Sequence, residues 1–230
     1  MLGHEEMNCR KKTQGRKEWR IKAHVDVEQN ADEQSILRQE GQVNKSVEDG
    51  GLNSPNKQED VKNFLHKHGV RFVALLETKV KLENWYTNVD YNPKVRIWVA
   101  WQGKAFQVNI KQTSGQLVHG KATHATIQKQ FYVTFVYEVN TLAGRLPLWQ
   151  DLKSIVHTIH EPWCVVGDFN VVLHPEKRVE GDVIQHAEVV DFAKCLEDCE
   201  LHEVNTSGAF FTWTNRTIWS KIDRAMMNSL

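Results

Sequence analysis

Two short runs constrain this chain more than any other feature, because each is apolar throughout and each ends abruptly in an acid. Phe72, Val73, Ala74, Leu75 and Leu76 lead into Glu77, while Trp163, Cys164, Val165 and Val166 lead into Gly167, Asp168, Phe169 and Asn170. A short, unbroken apolar run reads as a strand buried on both faces. A carboxylate at the end of such a strand is held rigidly and meets solvent, which is what a metal ligand needs. Residues two apart on a strand point to the same side, so Asp168 and Asn170 are expected to converge on one centre. Oxygen ligands of this kind suit Mg2+ better than zinc.

The remaining pattern surrounds these strands with others. Pro55 opens a helix capped by Ser54, with Val61, Phe64 and Leu65 as its stripe and Gly69 as its stop. Strands are expected at 96–101, 105–111, 116–123 and 131–137, four in series joined by polar turns, which reads as an antiparallel meander. A helix is expected from Pro147, with Leu148, Leu152, Ile155 and Ile159 on one face, and another over 185–199 around Val189, Phe192 and Leu196. Two last strands are expected at 210–215 and 219–227. The fold class that follows is α+β: two packed sheets with flanking helices.

Residues 1–50 differ. They are polar, have no sustained period, and bury too little apolar area to offset the entropy of ordering. They read as a disordered basic segment preceding a domain at 51–230. The basic cluster at 10–22 reads as a solvated tail rather than a nucleic-acid contact or nuclear address.

The 29 Lys and Arg balance 29 Asp and Glu, so no global basic field marks a nucleic-acid partner. No run approaches the ~18 apolar residues of a membrane span, and the N-terminus lacks the apolar core of a secretory signal. The chain is therefore expected to be intracellular, nuclear or cytoplasmic, and not secreted. Cys9, Cys164, Cys195 and Cys199 show no paired metal spacing. Cys195 and Cys199 lie four apart in a helical pattern and read as neutral core thiols in a reducing compartment. From the residues alone, Glu77 reads equally well as a surface carboxylate and Tyr137 as a core aromatic. Asp223, between Lys221 and Arg224, also reads as an ion-pair residue. His157, His160, His174 and His186 read as solvated.

Five motifs in order sharpen the reading. They are Leu75-Leu76-Glu77-Thr78-Lys79, Tyr137, Gly167-Asp168-Phe169-Asn170, Phe211-Thr212-Trp213-Thr214-Asn215 and Ser220-Lys221-Ile222-Asp223-Arg224. Together they resemble the endonuclease/exonuclease/phosphatase (DNase I-like) superfamily over nearly all of the chain after residue 51. The phrasing of Gly51-Leu52-Asn53-Ser54-Pro55 and Arg96-Ile97-Trp98-Val99-Ala100-Trp101 is similar to plant non-LTR (LINE-type) retrotransposon copies. The resemblance implies a two-layer sandwich and Mg2+-dependent hydrolysis of DNA phosphodiesters, with Mn2+ as an alternative cation. It implies a monomer, with a reverse transcriptase domain as partner in the intact parent element. By the same resemblance Glu77 binds the metal and Tyr137 lies against the scissile phosphate. Asp168 orients or deprotonates the attacking water, and Asn170 holds the phosphate. Thr212 contacts the nucleic-acid backbone or supports the site, and Asp223 orients a catalytic histidine.

The copy departs from that pattern. Val47-Glu48-Asp49-Gly50-Gly51 stands where the family has a strand ending in Trp-Asn, with Glu48 at the asparagine position. The histidine of the family's Ser-Asp-His segment lies beyond Leu230, the 79–91 connection is short, and Val95 and Glu138 stand where plant copies tend to have glycine. The expectation is a truncated, marginally stable domain with unpaired backbone where first and last strands belong, and with impaired activity. The alternative is a non-catalytic nucleic-acid-binding remnant.

Overall fold

The computed structural model describes residues 23–24, 55–76, 84–93, 97–174, 177–179, 186–205 and 209–230. In chain order the elements are β1 (Ala23–His24), α1 (Pro55–Lys67), β2 (Phe72–Leu76), β3 (Asn84–Thr87), β4 (Ile97–Trp101), β5 (Phe106–Thr113), β6 (Leu117–His124) and β7 (Gln130–Tyr137). There follow α2 (Leu142–Val156), β8 (Trp163–Asp168), β9 (Arg178–Val179), α3 (His186–Asp198), β10 (His202–Glu203), β11 (Trp213–Thr214), β12 (Trp219–Ser220) and β13 (Asp223–Met227). A four-stranded sheet runs β1-β2-β4-β3, a six-stranded sheet β10-β13-β8-β7-β6-β5, and a small ribbon β11-β12-β9.

Side-chain alternation turns these sheets into layers. On β2, Phe72, Ala74 and Leu76 join Ile97 and Val99 of β4 in a core shared with Phe106, Val133, Phe135, Cys164, Val166 and Ala225 of the larger sheet. The opposite residues of β2 and β4, Val73, Leu75, Trp98 and Ala100, pack on Val61 and Leu65 of α1. On the far side of the larger sheet, Trp163, Val165 and Met226 pack on Leu148, Leu152 and Ile155 of α2 and Phe192 of α3. The order of layers is therefore helix, sheet, sheet, helices. Burying each such Leu, Ile, Val or Phe contributes about 1.5–3 kcal/mol against chain entropy. The apolar runs are continuous because strands β2 and β8 have no solvent face: every residue of each is buried.

The architecture agrees with the α+β sandwich expected, and several local expectations are corrected. The four strands in series do not form one meander. β5, β6 and β7 do, but β4 pairs antiparallel with β2 and β3 in the other sheet. The reason is legible in its side chains: β4 is apolar at every position, and only a strand between two cores buries both faces. Helix α2 starts at Leu142, not Pro147, because the Thr141 hydroxyl accepts a hydrogen bond from Gly144 N at 3.2 Å and caps it. Pro147 lies inside the helix, so the Ala143 carbonyl lacks its helical donor. The expected strand at 219–227 breaks at Lys221 and Ile222, where the chain leaves the ribbon and enters the larger sheet. β1, from the segment read as disordered, lies antiparallel on β2, so β2 has a strand on both sides; the rest of 1–50 lies outside the described residues. Among the described residues, no helix is long and apolar enough to cross a membrane.

Candidate active site

Three of the residues singled out from sequence sit on one rung of the larger sheet. Tyr137 pairs with Asp168 across the parallel β7–β8 ladder, and Asp168 pairs with Asp223 across the antiparallel β8–β13 ladder. All three fall on the face toward the other sheet. Asp168 is two residues on from Val166, and Asp223 two residues before Ala225, both in the inter-sheet core, and Tyr137 packs against that same core. Phe169 N donates to Ile222 O at 3.0 Å, so the bonds flank the Asp168–Asp223 pair rather than joining it. Such non-hydrogen-bonded pairs bring Cα atoms to about 4.5 Å, the closer of the two antiparallel spacings. Two carboxylates directly opposite one another repel, and both are buried, Asp168 at 5% and Asp223 at 2% exposure.

The Gly-Asp-Phe-Asn motif explains how the rung is held. Gly167 has φ +149°, and a Cβ there would overlap the carbonyl oxygen of Val136 on β7. Glycine is thus required where two strands close up just before Asp168. Phe169 is buried and lies 5.0 Å from the Phe192 ring, anchoring the segment in the helical core. The strand ends at Asp168, so strand alternation does not align Asn170 with it, as the sequence suggested. Instead Asn170 adopts φ +46°, a left-handed conformation asparagine tolerates. Its N–H donates to Asp168 Oδ1 at 3.0 Å, closing an Asx-type turn. Its Nδ2 donates to the Glu138 carbonyl at 2.6 Å, which fixes the amide orientation and leaves one N–H and Oδ1 to offer a ligand.

Glu138 is the residue that sequence reasoning missed. Its backbone N–H donates to Asp168 O at 2.9 Å. Its side chain is fully buried, with Oε1 2.7 Å from Arg145 Nε on α2. Burial pushes the carboxyl up to about 8; Arg145 opposes that rise, and the Asp168 charge adds to it. The only signal in the sequence was an acid directly after Tyr137.

Thr212 lies beside the rung. Its Oγ1 accepts from Ile222 N at 3.1 Å and Asp223 N at 2.9 Å, fixing the backbone at the start of β13. That geometry favours support of the site over contact with nucleic acid. Glu77, the expected metal ligand, lies outside the described residues, one position beyond the end of β2 at Leu76. Among the described residues, no group of three or more His, Cys, Asp or Glu side chains forms a metal-binding cluster. His157, His160 and His174 are exposed, as expected, and the side chain of His186 is outside the described residues. Cys164, Cys195 and Cys199 are free and buried; the Cys195 thiol is pushed up by its hydrogen bond with Cys199 and by burial.

Comparison with known proteins gives a consistent picture of the fold. No protein-family model and no curated protein sequence matches the chain. Among solved structures, the endonuclease domain of TRAS1, a telomere-specific non-LTR retrotransposon, matches with TM-score 0.61 at 12% identity, over 75% of this chain and 79% of that one. The AP endonuclease LMAP from Leishmania major matches with TM-score 0.58 at 10% identity, over 74% and 73%. An endonuclease/exonuclease/phosphatase family protein from Bacteroides thetaiotaomicron matches with TM-score 0.51 at 11% identity, over 75% and 74%. At such identities the likeness establishes the fold alone: the chain is an α+β sandwich with a DNase I-like fold.

Proposed function

We propose that this chain hydrolyses phosphodiester bonds in DNA with the help of Mg2+, as an endonuclease of the kind carried by non-LTR retrotransposons. The observation that carries the reading is the rung of Tyr137, Asp168 and Asp223, side by side on a sandwich shared with endonucleases. The side-chain donors at the rung and its turn are oxygens, which fits Mg2+. Asp168 and the Asn170 amide oxygen, together with Glu77, would hold the cation. When bound it would stabilise the negative charge that builds on the phosphate during in-line attack.

The chain's own residues do the rest. Asp168 orients the attacking water and accepts its proton. The remaining Asn170 N–H holds a phosphate oxygen, and the Tyr137 hydroxyl lies against the scissile group. Thr212 fixes the backbone that presents Asp223. Activity is expected to be low, since Val47-Glu48-Asp49-Gly50 supplies neither the Trp nor the Asn of the family pattern. The test is nicking of supercoiled plasmid by the full chain in Mg2+, alongside Asp168→Ala. Cleavage abolished by EDTA and by the substitution is the expected result; equal cleavage by both chains would overturn the assignment of Asp168.

A second reading, DNA binding without cleavage, is favoured by the small ribbon. Phe210, Trp213 and Trp219 are 51%, 40% and 40% exposed, and Lys177 lies 4.8 Å over the Phe210 ring, whereas Lys221, 5.4 Å from it, is buried and paired with Glu203. Exposed aromatics beside cations suit stacking on bases and attraction to phosphates. Retention of DNA without nicking, weakening as salt rises, would select it.

A further inference from the structure

We propose that Glu138 and Arg145 are positioning residues for the reactive rung, acting as a brace between helix α2 and the Asp168–Asn170 turn. The inference deepens the nuclease reading and rests on it for its kinetic consequence. Its geometric basis is the convergence of three contacts on one residue. The Glu138 peptide grips the turn twice: its N–H donates to Asp168 O at 2.9 Å, and its carbonyl accepts from Asn170 Nδ2 at 2.6 Å. The Glu138 side chain, turned into the protein, meets Arg145 Nε at 2.7 Å. Both side chains are nearly inaccessible, at 0% and 5% exposure.

The anchor on the other side is rigid. Arg145 belongs to the first turns of α2, directly after the Thr141 cap. Gln116 ties the same segment to the sheet, donating from Nε2 to Gly144 O at 2.8 Å and accepting from Val139 N at 2.8 Å. Glu138 is thus tied at its side chain to a capped helix and at its main chain to the turn. A glycine at this position would keep the two peptide contacts and lose the tie to α2. The role assigned to the carboxyl is to receive Arg145, so an amide of the same shape should perform it.

Three variants test this: Glu138→Ala, Glu138→Gln and Arg145→Met. The first readout is independent of activity: solvent exchange of the Asn170 side-chain amide protons, followed by NMR in the full chain. Exchange should accelerate at least ~10-fold in Glu138→Ala and in Arg145→Met, and stay close to the parent in Glu138→Gln. The second readout is plasmid nicking in Mg2+. Misplacement of a reacting group by about an ångström costs up to ~100-fold in rate, so kcat should fall ~10- to 100-fold in Glu138→Ala with KM little changed. Glu138→Gln should restore most of it.

Unchanged Asn170 exchange in both Glu138→Ala and Arg145→Met would overturn the brace. So would a Glu138→Gln variant as damaged as Glu138→Ala, since that would assign the work to the ionisable group itself. If Glu138→Ala fails to fold, Arg145→Met carries the same comparison. A parent chain that does not nick DNA refutes the nuclease reading, while the amide exchange still decides the brace.

Discussion

The carboxyl of Glu138 makes a specific demand on stability as pH changes. Burial lifts it from the ordinary 4.5 to about 8, more than Arg145 can offset, and Asp168 pushes the same way. In the unfolded chain it loses its proton near the reference value for glutamate, about 4.3. Between these two values the native state holds one proton that the unfolded state has released. Stability therefore falls as pH rises, by about 1.4 kcal/mol per pH unit. The favourable contribution is complete below about pH 4.5 and lost as pH passes about 8, a swing of about 5 kcal/mol in total. That is comparable with the whole stability of many domains. Glu138→Gln keeps the shape and the acceptor for Arg145 but removes the titration. Urea midpoints followed by circular dichroism, from about pH 5 to about pH 9, should show the parent losing ground steadily to the variant. Near the acid end the two chains should agree within about 1 kcal/mol, because the parent carboxyl is then neutral. A difference that does not change with pH, or a parent that gains on the variant as pH rises, would refute the reasoning, since either means Arg145 outweighs burial.

His119 makes the opposite demand. It is buried against Thr134, with Nδ1 2.8 Å from Thr134 Oγ1, and burial, helped by Lys111, lowers it from 6.5 to about 4. Its contribution is present above about pH 6.5 and lost as pH falls toward 4, by up to about 3 kcal/mol, so His119→Gln should flatten the acid limb of the same urea series. Gly167→Ala forces a side chain into the Val136 carbonyl at φ +149°; it should lower the melting temperature by the equivalent of about 2 kcal/mol or more, and an unchanged melt would show that β7 and β8 are not so closely spaced. Mg2+ should raise the melting temperature of the parent by mass action and leave that of Asp168→Ala unmoved; an equal shift in both would remove Asp168 from the cation site.

Much of this arrangement was legible because buried strands write themselves plainly. The runs Phe72–Leu76 and Trp163–Val166 are apolar at every position, and the acid that follows each could be picked out without any structure. Tyr137, Asp168 and Asp223 were candidates separately, but nothing in the sequence says that they share a rung. That depends on β7 running parallel to β8 while β13 runs antiparallel, a consequence of pairing between strands as far apart as 137, 168 and 223. The misplaced strand is instructive too. Short connections usually favour pairing of the 96–101 run with the neighbours next in sequence. Its pattern of two apolar faces carried the contrary information, since β5 alternates between buried and more exposed positions while β4 does not. Glu138 was illegible for a different reason. A lone acid after a strand ordinarily reads as solvated, and nothing in the sequence says that Arg145 on the first turns of α2 comes back to meet it.

The placement of the rung follows from how β8 sorts its side chains. Trp163 and Val165 commit one face to α2 and α3, Cys164 and Val166 commit the other to β2 and β4, and Phe169 continues the helical face beyond the strand. A slip of one residue exchanges the two faces of a strand. Here it would drive Phe169 into the inter-sheet space and Asp168 into the Trp149–Phe192 aromatic core, where an ionised carboxylate has no hydration. β13 is sorted by the same logic. Arg224 turns to the helical side, its guanidinium 6.0 Å from the centre of the Phe192 ring and 3.0 Å from Glu203 Oε1, which leaves Asp223 to face Asp168. The opposed carboxylates are thus the residue of two well-satisfied packing faces. Their placement opposite one another follows from the sorting of the apolar residues on either side, not from any contact of their own.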